Sequence, residues 1–77
     1  MYEVWFGLDT RPLARWSTEA IRQVIASMTI YNISEGVTVG GKRSVTIWFE
    51  DPYGQDALDE RGEPTGEKES EVRFVEV

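Results

Sequence analysis

The 77-residue chain contains no cysteine and no histidine. Without thiols there is no disulfide framework, no thiolate zinc or iron–sulfur centre and no cysteine nucleophile. Without imidazole there is no Ser-His-Asp relay and no histidine metal ligand. The side chain that most often moves protons near neutral pH is also missing. Apolar runs are only a few residues long, too short for a bilayer span or the core of a signal peptide. The expectation is therefore a cytoplasmic protein with no membrane association. What remains is 40% hydrophobic residues, enough for one small core without staples, and hence for a single domain over 1–77.

Basic charge is scarce in one region only. Residues 1–49 carry Glu3, Asp9, Glu19 and Glu35 against Arg11, Arg15, Arg22, Lys42 and Arg43, a balance of +1. Residues 50–71 carry Glu50, Asp51, Asp56, Asp59, Glu60, Glu63, Glu67, Glu69 and Glu71 against Arg61 and Lys68, a balance of −7. The last six residues cancel, so the whole net charge of −6 lies in one segment. Such a field repels phosphate backbones and attracts proteins with basic grooves. It disfavours direct nucleic-acid binding, and Arg11, Arg15 and Arg22 are too few to reverse that. The plain alternative is an acidic loop that keeps a small domain soluble.

Residues 2–8 alternate, with Tyr2, Val4, Phe6 and Leu8 on one face and Glu3, Trp5 and Gly7 on the other, as in a strand. Pro12 has no N–H for a ladder and ends it. Residues 17–31 read as a helix. Ile21, Val24, Ile25 and Met28 form one stripe of a 3.6-residue period. Ser17 is the N-cap, Trp16 and Ile21 can staple the entry, and Glu19 suits the helix dipole. Asn32 is placed as a left-handed C-cap, with Ile33 folding back on Met28.

Two further strands, 36–39 and 44–50, surround Gly40-Gly41. Val45, Ile47 and Phe49 share one face, and Ser44, Thr46, Trp48 and Glu50 the other. A Gly40-Gly41 turn pairs Val39 with Lys42. A Gly40-Gly41-Lys42 loop instead pairs Val39 with Arg43 and places Val37 and Val39 beside Val45 and Ile47, which fills the core face and is preferred. Residues 51–70 offer only Tyr53, Ala57 and Leu58 as apolar side chains. They read as a long acidic loop with at most one helical turn near Asp56–Glu60. Strand composition returns over 71–77, where Val72 and Phe74 share one face and Arg73, Val75 and Val77 the other. The expected fold is α+β, a two-layer sandwich ordered β-α-β-β-β, with one helix on a four-stranded, mostly antiparallel sheet. If the first two strands are neighbours, a right-handed crossover makes them parallel.

No pattern in this chain calls for catalysis, metal or cofactor. Glu50 and Asp51 are adjacent carboxylates at a strand end, with nothing to bury them and split their pKa values. An EF-hand loop started at Asp51 has Tyr53 and Gln55 at liganding positions and Asp56 in place of the glycine. No glycine-rich segment opens a helix as a phosphate loop does. The informative residues are Trp5 and Trp48, both on the sheet face opposite the core. Indoles there mark an interface, unless a loop covers them or the chain self-associates through them.

The profile is tiny, acidic, α+β and free of cysteine and histidine. In composition and size it resembles the small proteins that phages make to block host defence or host polymerases, including anti-CRISPR proteins. That resemblance implies a non-enzymatic inhibitor that imitates nucleic acid and acts in the host cytoplasm. The residues independently point to a protein partner with a basic, nucleic-acid-binding surface. That surface would be met by Glu50, Asp51, Asp56, Asp59, Glu60 and Glu63, with Trp5 and Trp48 as apolar anchors. The alternative is a structural or accessory subunit that forms a homodimer through the Trp-bearing face.

Overall fold

A computed structural model describes residues 1–7 and 9–77. The first strand, β1, runs Tyr2–Phe6; its expected continuation through Leu8 lies outside the described residues. The order is β1, then β2 (Ala14–Trp16), α1 (Thr18–Ala26), β3 (Ile30–Val37), β4 (Arg43–Leu58) and β5 (Pro64–Glu76). The α+β class holds, but among the described residues the sheet has five strands rather than four, and a second strand, β2, precedes the helix, so the order is β-β-α-β-β-β rather than β-α-β-β-β. Spatial order is β2-β1-β5-β4-β3. Every neighbouring pair is antiparallel. The first and third strands are not neighbours, so the condition for a parallel crossover is not met.

The last strand lies at the centre because its composition suits burial from both sides. Val72, Phe74 and Val75 are all buried, whereas the edge strands β2 and β3 contain mostly exposed or half-buried residues. On the helix-bearing face, Val4 stands opposite Phe74 and Phe6 opposite Val72. Across the other border, Val45 pairs with Phe74 and Ile47 with Val72. Ile21 of α1 completes this cluster, with Trp16, Ile25, Met28, Ile30 and Phe49 around it. Val4 and Val72 are fully out of solvent, and each such side chain contributes about 1.5–3 kcal/mol of burial free energy.

The helix starts as its sequence requires. The Ser17 hydroxyl accepts a hydrogen bond from the Ala20 N–H at 3.1 Å. It is shorter than the expected 17–31 and ends at Ala26. The Ser27 N–H turns to the Val24 carbonyl at 3.1 Å and the Met28 N–H to that of Ile25 at 3.0 Å, so the last turn tightens. The Ser27 hydroxyl also donates to the Val24 carbonyl at 2.8 Å. The β-branched residues Thr29, Ile30 and Ile33 then favour strand over helix. Asn32 is therefore not a left-handed cap; it sits in β3 opposite Trp48. Its side chain accepts from the Ile33 N–H at 2.9 Å. The strand expected at 36–39 is accordingly β3, displaced to 30–37.

The β3–β4 hairpin has the preferred parity but a different turn. Val37, not Val39, faces Arg43. The Thr38 N–H donates to the Lys42 carbonyl at 2.8 Å and the Gly41 N–H to the Thr38 carbonyl at 2.9 Å. The loop is thus Val39-Gly40-Gly41, and Gly41 takes φ +78°, the left-handed geometry of a three-residue hairpin. Val37 and Val39 stay exposed rather than filling the core.

The largest departure concerns residues 51–70. Apart from a tight turn they form no loop, and there is no helical turn near Asp56–Glu60. β4 extends from the expected 44–50 to 43–58, and β5 from the expected 71–77 to 64–76. Together they make a two-stranded arm with a turn at Asp59–Glu63. The Asp59 N–H donates to the Glu63 carbonyl at 2.8 Å and the Gly62 N–H to the Asp59 carbonyl at 3.0 Å, with Gly62 at φ +79°. This repeats the construction at Thr38–Lys42. Even the side-chain oxygen at the first position recurs. Asp59 Oδ1 accepts from the N–H groups of Arg61 and Glu63 at 2.8 and 3.0 Å, as Thr38 Oγ1 accepts from Lys42 at 3.2 Å.

Candidate functional site

The face away from the helix carries both expected tryptophans. Register fixes its rows, because residues directly opposite one another share a face. Trp5 stands beside Arg73, which stands beside Thr46. One row further along the strands, Glu71 stands beside Trp48, which faces Asn32. Beyond that, Glu69 faces Glu50.

The two indoles have different surroundings. The Arg73 guanidinium lies over the Trp5 ring, 5.5 Å from its centroid, a cation–π contact. The Trp5 Nε1 is shut off from solvent with no hydrogen-bond partner. It borders a hollow of about 40 Å³ formed with Gly7, Thr46, Glu71 and Arg73. Trp5 is thus half-buried, like Trp48, with its indole N–H enclosed and Arg73 over its ring. Trp48 opens instead into a groove of about 540 Å³, walled by Phe6, Tyr53, Gln55, Glu69 and Glu71. Gly7 and Gly54 add no side-chain bulk to it.

The groove owes its shape to an irregularity where the arm leaves the main sheet. Glu50 and Gln55 both register against Glu69, so residues 51–54 bulge out of β4. Asp51 fastens the bulge. Its Oδ2 accepts from the Ser70 hydroxyl at 2.7 Å and its Oδ1 from the Tyr53 N–H at 2.9 Å. These bonds, the Ser70 hydroxyl foremost, hold the Asp51 pKa below its ordinary 3.8. Gly54 closes against β5 so tightly that a Cβ there would meet the Glu69 carbonyl. Tyr53 is left 95% exposed beside the groove.

The sequence-derived carboxylates divide into two groups. Asp51 is committed to the bulge, Asp59 to the turn, and Asp56 to Lys68, whose Nζ is 3.1 Å away in an exposed ion pair. Glu50, Glu60 and Glu63 are exposed and appear in none of the ion pairs among the described residues. Sequence reasoning missed Glu67, Glu69 and Glu71 as site residues, together with Tyr31 and Tyr53. Their signal was present in the alternation Glu67-Lys68-Glu69-Ser70-Glu71, the period of a strand. Tyr31 shows how the carboxylates collect: partial burial first, then the charges of Glu50, Glu67 and Glu69, raise its pKa above the usual 10.0. Among the described residues, no three acidic side chains are grouped to hold a metal ion.

Searches of protein-family models, curated proteins and solved structures find no match to this chain. The geometry alone carries the functional reading. Among the described residues, no helix is long and apolar enough to cross a membrane.

Proposed function

We propose that the chain is a non-enzymatic binding protein that docks its acidic β4–β5 arm on a basic, nucleic-acid-binding surface of a protein partner. It would act as a small inhibitor of the phage type, in the cytoplasm of the cell that contains the target. The observation that carries this reading is the arm itself: the acidic segment is an extended ribbon with both strands paired, not a solvated coil. An ordered ribbon presents charge at fixed positions and loses less entropy on docking than a coil does. Alternate carboxylates on a strand recur about every 6.7 Å, twice the ~3.4 Å axial step of one strand of DNA. Glu67, Glu69 and Glu71 follow that spacing, with Glu60 and Glu63 at the tip.

The experiment compares wild type with the triple variant Glu60→Lys, Glu63→Lys, Glu67→Lys, which leaves Asp51, Asp56 and Asp59 in their structural roles. Each is used to capture proteins from lysate of the source cell, with duplex DNA as eluent. The expected result is a nucleic-acid-binding protein held by wild type, released by DNA or salt, and lost with the variant. Equal retention by both forms would refute the proposal, as would retention that DNA and salt do not disturb.

A further inference from the structure

We infer that the groove beside Trp48 is the seat of a single arginine side chain of the partner, an assignment that rests on the docking reading above and specifies it. The chain supplies the precedent on the same sheet face. Trp5 has Arg73 as its cross-strand neighbour on β5, and that guanidinium covers the indole at 5.5 Å. Trp48 has Glu71 in the equivalent place on β5. Its groove contains two carboxylates, Glu69 and Glu71, and no lysine or arginine. One indole thus brings its own cation, and the other brings carboxylates suited to a foreign one.

The chemistry favours arginine over other cations. A planar guanidinium stacks on an aromatic face while its N–H fork reaches carboxylate oxygens, and an ammonium cannot do both. The groove offers these together: aromatic surface from Trp48 and Tyr53, and acceptors from Glu69 and Glu71. Its volume of about 540 Å³ falls within the usual range for sites that enclose small groups. Three of the chain's eight bases are engaged elsewhere: Arg73 on Trp5, Lys68 with Asp56 and Arg15 near Glu3 at 4.0 Å.

The test is a titration of the ¹⁵N-labelled protein with three blocked tripeptides, Gly-Arg-Gly, Gly-Lys-Gly and Gly-citrulline-Gly, followed by NMR. The Trp48 indole signal is assigned from Trp48→Phe. The arginine peptide should shift the Trp48 indole N–H and the Gly54 and Glu71 amides saturably, the lysine peptide more weakly, and the uncharged citrulline peptide not at all. Glu71→Gln should weaken arginine binding about tenfold, with Glu69→Gln as the second variant should the first disturb the spectrum at large. The assignment is overturned if the citrulline peptide titrates like the arginine one, or if arginine leaves the Trp48 signal unmoved. In the latter case, partner capture that is still abolished by the triple variant would remove the arginine seat while leaving the docking reading in place.

Discussion

Replacing Gly54 by alanine tests the construction of the arm at its tightest point. A Cβ at residue 54 would run into the backbone carbonyl of Glu69, an atom held within a central strand and unable to rotate away. Overpacking of this kind costs about 1–3 kcal/mol. Relief requires the bulge to lift, which pulls Asp51 from Ser70, a bond contributing about 0.5–1.5 kcal/mol. The total expected loss is about 1.5–4.5 kcal/mol, or a fall in Tm on the order of 10 °C or more for a domain of this size. Hydrogen exchange should show the loss concentrated in residues 51–58 and 64–70, with the Val4–Phe74 region retaining its protection. Gly62→Ala is the control: it sits at φ +79° with open space around it, so it carries only the strain of a left-handed residue, about 1–2 kcal/mol. If Gly54→Ala is no more destabilising than Gly62→Ala, the close packing of bulge against β5 is refuted.

Two further outcomes follow from the same charges. Glu50 and Glu69 stand directly opposite each other, so Glu50→Lys should stabilise the fold by about 0.2–1 kcal/mol while weakening the partner complex; thermal unfolding and capture measured on the same variant check both halves. Asp51 titrates below its ordinary 3.8, so its contribution is fully present above that value and is lost as pH falls through the folded-state pKa. Asp51→Asn should therefore flatten the acid limb of the stability profile, and an unchanged acid limb would remove Asp51 as the fastener of the bulge.

Much of the main sheet could be read from single residues. Alternation over Tyr2–Phe6 and over Val45–Phe49 assigned the correct faces, including the placement of both tryptophans away from the helix. Ser17 marked the helix start. The short β2 escaped notice because three residues carry no usable period. The arm is not legible from apolar content, because that content measures only the capacity to build a core. Its order comes instead from turn chemistry at Asp59 and Gly62, cross-strand bonds such as Thr65 to the Ala57 carbonyl at 3.2 Å, and one buried small residue, Ala57. The Asp-x-x-Gly spacing was visible in the sequence, but the bulge was not, because Asp51 meets Ser70 only after the strands have paired. For the candidate site, sequence supplied the region and Trp48. It did not reveal that Trp5 would be covered by Arg73, nor that three of its carboxylates would be spent on structure.

The association rate between the protein and its captured partner, followed across a salt series for wild type and for Glu60→Lys, Glu63→Lys, Glu67→Lys, examines the central claim most directly. The account predicts a wild-type rate that falls steeply with ionic strength, and a triple variant that associates slowly with little salt dependence. Identical rates and identical salt slopes for the two proteins would contradict it.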